Sequence, residues 1–458
     1  MSSTIKIKTK KTTRDMTEGV IWKHLIGFAF PLLMGNIFQQ FYNTVDSIVV
    51  GNFVGADALG AVTSTMPIVL TLLGLFIGLA MGAGVVISQY FGAKDIPNLR
   101  KSTHTAVVST IIMALIISAI GYYSTPGLLR IMNTPESVFR EAVVYLQIFS
   151  LGLGGTMLYN MGSAILRAVG DSKRPLYYLI FASILNIFLD LLFVIKFESG
   201  VAGVAYATIL AQLISGLMIF YRLFRSNEPH SLRFHEMKID SEILGRIIKI
   251  GFPAGFQLAL TSFSNVFVQA YVNAFGAACT AGWGIYARVD AFVNLTSQSM
   301  AMSITTFVGQ NAGAGKPDRI HKGVKEAIKI SLSISATIIT ILYISAPFVA
   351  SLFNQDTQVL YFAVLFLRFN TVFDPFNVIN QLHAGALRGV GDSRTPMLLM
   401  LGSFVLFRQI YLFLISRVIN SVYVIAFGYP LGWIVCCTLM LIHVRRSGWE
   451  NKIARLKK

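Results

Sequence analysis

The chain has 458 residues, of which 54% are hydrophobic and 13% charged, with a mean hydropathy of +0.65. Globular domains carry about 25% charged residues, so this composition excludes a soluble domain and points to a polytopic membrane protein. A net charge of +17 would suggest a nucleic-acid partner in a soluble protein, but here the positive charge is placed by topology and no nucleic acid is expected.

Residues 1–20 form a basic tail carrying Lys6, Lys8, Lys10, Lys11 and Arg14, with no apolar core and so no expected cleavable signal peptide. Twelve apolar segments follow, near 24–50, 60–90, 104–124, 139–165, 175–196, 200–222, 245–273, 280–308, 326–350, 358–386, 396–416 and 421–443. Each is long enough to cross a bilayer as a helix. With both ends inside, 31 of the 38 Lys and Arg fall in cytoplasmic pieces, which predicts twelve spans with cytoplasmic termini. A polar linker at 223–244 separates an N-lobe (21–222) from a C-lobe (245–443), and a second basic tail closes the chain at 444–458. Cys279, Cys436 and Cys437 lie in apolar surroundings without disulfide or metal spacing and read as helix filler.

The first span carries the most telling polar stripe. Gln39, Tyr42, Asn43 and Asp46 fall at i, i+3, i+4 and i+7, hence on one helical face. A carboxylate at membrane depth costs roughly 2.5–3.5 kcal/mol and needs a partner, a proton or a task. A face that handles cargo or ions explains the stripe better than helix packing alone.

The halves are repeats. Leu166-Arg167-Ala168-Val169-Gly170-Asp171-Ser172-Lys173-Arg174-Pro175 returns as Leu387-Arg388-Gly389-Val390-Gly391-Asp392-Ser393-Arg394-Thr395-Pro396, a shift of 221. Gln89 to Ala93 meets Gln310 to Ala314 at the same shift. Six spans per half is an even number, so the halves share orientation, as in alternating-access transporters with cargo sites between or within the lobes.

These residues carry a resemblance. Pro31 early in the first span, Gly92-Ala93-Lys94-Asp95 after the second, and the paired Arg-x-x-Gly-Asp loops after the fourth and tenth resemble the multidrug and toxic compound extrusion (MATE) family over essentially the whole chain. The resemblance implies an all-α, V-shaped fold of two six-helix repeats. It also implies a cation-coupled antiporter, driven by Na+ or H+, that exports organic, mainly cationic amphiphiles; no cofactor is expected, and the partners are small molecules and the bilayer around a monomer in the inner (plasma) membrane. Tyr42-Asn43-Thr44-Val45-Asp46, Asn186-x-x-x-Asp190 and Thr208 match the N-lobe pattern of the DinF-like branch, which makes Asp46, Asn186, Asp190 and Thr208 the expected coupling and monovalent-cation residues. Gln39, Tyr42, Asn43 and, by family position, Asn160 are expected to line the cargo cavity.

In the C-lobe the pattern departs from the NorM-like branch. The seventh span has Ser262 near that branch's glutamate, and the tenth has Asn377 at its aspartate position. Asp374, one turn earlier beside Pro375, is the candidate C-lobe acid or else marks a helix break. Asp171 and Asp392 read as loop caps, and Arg288, Asp290, Arg368 and Arg408 as paired or snorkelling charges.

Enzyme motifs are missing: Gly309 to Pro317 misses phosphate-loop spacing, and Pro317 replaces the hydroxyl residue. The alternative function is a lipid-linked oligosaccharide flippase of the related superfamily, which would want extra spans and several arginines around a central cavity. A non-transporting membrane component is the third class, and it leaves the membrane-embedded acids without a purpose.

Overall fold

The computed structural model describes residues 13–448, so most of both basic tails, including Lys6, Lys8, Lys10 and Lys11, lies outside the described residues. Within them the chain is helical throughout. The first half holds α1 (Ile21–Val49), α2 (Ala56–Gly92), α3 (Ile96–Ile131), α4 (Glu136–Ala168), α5 (Lys173–Leu191) and α6 (Gly200–Arg225). The second half holds α7 (Ser241–Asn273), α8 (Ala277–Gly313), α9 (Pro317–Ser351), α10 (Thr357–Thr371), α11 (Asp374–Gly389), α12 (Arg394–Met400), α13 (Arg408–Ile415) and α14 (Val422–Ser447).

Among the described residues, ten helical stretches are individually long and apolar enough to span a membrane, and the pair α10–α11 makes an eleventh. The remaining long helix, α8, is too polar to face lipid all round, since it carries Arg288, Asp290, Asn294 and Gln298. It packs instead against α1, α2, α9, α10 and α11. The tenth expected span is not one straight helix: α10 and α11 meet at a 51° bend. Pro375 has no N–H to donate and so cannot continue a helix from α10.

The lobes meet where side chains are smallest. Gly78 and Gly82 of α2 face Gly251 and Gly255 of α7, and a Cβ at Gly82 would lie 2.7 Å from the Gly251 nitrogen. Backbone therefore touches backbone, the small-residue contact that lets membrane helices cross closely.

At the end of the molecule bearing the Arg-x-x-Gly-Asp loops, the halves are clasped reciprocally. Gln89 Nε2 donates to the Gly389 carbonyl and Gln310 Nε2 to the Ala168 carbonyl, each at 2.9 Å. The segment before α1 threads the same junction. Arg14 N donates to Val169 O (3.2 Å), Met16 N to Gln310 Oε1 (2.9 Å), and Arg319 Nε to Met16 O (3.1 Å), while the Met16 side chain is fully buried. Burial opposes ionisation of Asp15, but hydrogen bonds from Thr17 and the charges of Lys94 and Lys316 prevail and hold its carboxyl below the usual range. Among the described residues, the cross-lobe hydrogen bonds along α1 reach no further than Asn36–Ser299 (3.2 Å).

Asp171 and Asp392 cap the next helices as expected, accepting from Lys173 N and Arg174 N (3.2 Å each) and from Thr395 N (3.1 Å). The connection between halves is docked rather than free. Arg233 N donates to His104 Nε2 (2.9 Å) and Asp240 N to Thr105 Oγ1 (3.0 Å), which ties residues after α6 to α3.

Candidate functional site

The carboxyl groups of Asp46 on α1 and Asp190 on α5 are neighbours where the two helices pack together. Asp190 is fully buried and Asn186, one turn earlier on the same face of α5, is 2% exposed. Asp46 Oδ1, both Asp190 carboxyl oxygens and both polar atoms of the Asn186 amide have no hydrogen-bond partner among the described residues. Buried polar atoms are normally paired, so this cluster is an exception that asks for a chemical reason. Two apposed carboxyls hold a proton or a cation between them rather than two bare negative charges.

Local backbone helps to aim both acids. α1 continues into a π-helical turn, Val50–Val54, and α5 into another, Leu192–Lys196, closed by bonds from Gly55 N to Val50 O and Phe197 N to Leu192 O. Each widened turn begins within one helical turn after its aspartate, and such turns recur at functional sites.

The other expected residues divide. Tyr42 is buried beside the pair, with its hydroxyl accepting from Gln212 Nε2 of α6 at 3.4 Å. Gln39 and Asn43 are exposed on the same helix. Asn160 is half-buried and donates to Thr156 O of its own helix (2.8 Å). Thr208 is half-buried on α6 and makes no hydrogen bond to either carboxyl among the described residues. Tyr145 of α4 and Gln212 complete the wall of the cluster; neither was singled out from sequence, because only packing brings α4 and α6 to α1.

The C-lobe holds a second buried polar chain. Asp374 is 2% exposed at the start of α11 and accepts from Ser335 Oγ of α9 (2.8 Å). Asn377 Nδ2 donates to Asn294 Oδ1 (2.9 Å), and Asn294 Nδ2 donates to Asp290 Oδ2 of α8 (2.8 Å). Asp374 is thus a buried acid at the helix break. Asp290 accepts from Asn294 and forms no ion pair with an arginine among the described residues, and the Asp290–Asn294 i, i+4 spacing was the available signal. Arg408 points elsewhere, donating to Ser264 Oγ and Asn265 Oδ1 (2.9 Å each) with its guanidinium 4.4 Å from the Tyr429 ring centre.

Comparison with known proteins gives a consistent picture. The family model described as MatE matches twice, at residues 31–192 and 253–414. The probable multidrug resistance protein YpnP of Bacillus subtilis (strain 168) is 30% identical over 437 residues, covering 95% of this chain and 97% of its own length. The multidrug export protein MepA of Staphylococcus haemolyticus is 24% identical, with 82% and 83% covered. Among solved structures, an outward-facing conformation of a multidrug resistance MATE family transporter of the MOP superfamily superposes with a TM-score of 0.90 at 23% identity, covering 98% of this chain and 99% of that one.

Proposed function

The chain belongs to the MatE family, and from that premise we propose that it is a membrane antiporter exporting organic, mainly cationic amphiphiles by alternating access, coupled to inward Na+ or H+. The observation that carries the coupling is the Asp46–Asp190 contact with Asn186 beside it. An oxygen-rich, buried pair suits a hard monovalent cation or a shared proton, both of which act here as transported substrates. Binding of that cation must favour one state of the lobes over the other, otherwise it drives nothing. The cross-lobe clasp at Gln89 and Gln310 joins the lobes at the end expected to be cytoplasmic, which supports an outward-facing reading. Positive-inside counting supports cytoplasmic termini in the plasma membrane. Against the flippase alternative, the intramembrane arginines do not converge: Arg408 is held by Ser264 and Asn265, and Arg368 by the Tyr343 carbonyl of α9.

The test is efflux of a fluorescent organic cation from proteoliposomes under separately imposed Na+ and H+ gradients. Asp46→Asn and Asp190→Asn are each expected to lose gradient-driven efflux while remaining folded, and the gradient that drives the wild type names the ion. Undiminished efflux in both variants would sink the assignment.

A further inference from the structure

The repeat exposes a charge that structure alone does not require. Pro126 in α3 and Pro347 in α9 lie 221 residues apart, as do Tyr122 and Tyr343 one turn before them. Each proline lacks the N–H that would have bonded to the carbonyl four residues earlier, which orphans the carbonyls of Tyr122 and Tyr343. The same-shift partners Gln147 and Arg368 fill both gaps. Gln147 Nε2 donates to Tyr122 O at 3.4 Å, and Arg368 Nε donates to Tyr343 O at 3.1 Å. A neutral amide therefore meets the structural need in one half, and the guanidinium charge in the other half is surplus to it.

That charge stands in the wrong solvent. Arg368 lies 11 residues into α10 from Thr357, about 16 Å along the helix. Among the described residues no carboxylate comes within 4.0 Å of it, and it has only the Tyr343 carbonyl and ring as partners, the ring centre at 5.2 Å. It lines a groove of about 730 Å³ between α9, α10 and α14, walled by Tyr343, Tyr361, Phe369, Phe373 and Tyr423. The most apolar window of α9 is only 11% buried, the smallest share of any candidate span, so this groove is on the lipid-facing rim and not between the lobes. A separate groove between α3 and α4 overlaps the repeat-related positions only at Tyr122 and Leu151 and does not include Gln147, so the Arg368 groove has no close counterpart there.

We propose that the Arg368 groove binds the phosphate head of an anionic membrane phospholipid, with the guanidinium as its counter-charge and the aromatic wall along an acyl chain. The guanidinium fork matches phosphate oxygens, and the tyrosine hydroxyls at the Thr357 end offer further donors. A zwitterionic lipid brings its own cation to the phosphate and gains less from Arg368.

The experiment is native mass spectrometry of the purified full chain after exposure to equimolar phosphatidylglycerol and phosphatidylcholine in neutral detergent. The wild type is expected to retain phosphatidylglycerol over phosphatidylcholine by roughly tenfold, the weight of one charge-assisted hydrogen bond. R368Q, which imitates Gln147, is expected to keep the same melting temperature in lipid-free detergent and to lose the preference. Equal retention of both lipids by wild type or an unchanged preference in R368Q would overturn the proposal. Displacement of phosphatidylglycerol by millimolar inorganic phosphate would make the site one for free anions and would also overturn it.

Discussion

Gln89 and Gln310 are 221 residues apart in sequence and trade places across the lobes, each donating at 2.9 Å to the carbonyl that ends a helix of the other half. Each also accepts a second bond, Gln89 from Arg246 Nη2 (3.1 Å) and Gln310 from Met16 N (2.9 Å). A net hydrogen bond is worth about 1 kcal/mol, enough to change a two-state ratio about fivefold. Gln89→Ala and Gln310→Ala are each expected to shift the population at least that far toward the state opened at this end. Spin-label distances between the ends of α2 and α8 report the shift, and unchanged distance distributions would refute the clasp.

The α2–α7 crossing should tolerate no side chain. Gly82→Val places a Cβ against the Gly251 nitrogen and forces the two backbones apart. Overpacking typically costs about 1–3 kcal/mol, so a lowered melting temperature and slower efflux are expected together. Gly127→Ala is the control, because nothing lies within 4 Å of its added Cβ.

His230, between α6 and α7, predicts an acid sensitivity outside the membrane. Burial, with Arg174 and Arg222 nearby, lowers it from 6.5 to about 4, while Glu228, 3.7 Å from Nδ1, pulls the other way. A base whose folded value lies below its unfolded value binds fewer protons when folded. Stability is therefore full above about 6.5 and is lost as pH falls from there toward about 4. At 1.36 kcal/mol per unit the loss is at most on the order of 3 kcal/mol. Melting curves at pH 7.5 and 5 should diverge for wild type and converge for His230→Asn.

Among the described residues, Ser335 holds Asp374 by the one side-chain bond between α9 and α11 at that carboxyl. Ser335→Ala leaves a second buried carboxyl oxygen without a donor, since Asp374 Oδ1 already lacks one. The expected cost is about 1–3 kcal/mol of C-lobe stability, read as a lower melting temperature, with partial recovery in Ser335→Ala/Asp374→Asn.

Much of the candidate site was legible because helix periodicity converts spacing into a face. Gln39, Tyr42, Asn43 and Asp46 needed only i, i+3, i+4 and i+7, and Asn186 with Asp190 needed only i, i+4. What spacing could not supply was the contact between α1 and α5, nor Tyr145 and Gln212 arriving from α4 and α6. Asp290 shows the same limit: it read as a paired or snorkelling charge, yet its carboxyl accepts from Asn294 Nδ2, and α8 exposes Arg288.

The sequence by itself determined the spans, the repeat and which residue types had to be satisfied at membrane depth, because length, hydropathy and internal likeness are properties of the chain read locally. The tertiary structure alone decided which partners satisfy them. The two halves put their acids at unrelated positions, Asp46 and Asp190 in one, Asp290 and Asp374 in the other, and their reciprocal clasp at Gln89 and Gln310 joins residues hundreds of positions apart. Such contacts depend on how helices cross, which the small residues along α2 and α7 permit and which no local pattern encodes.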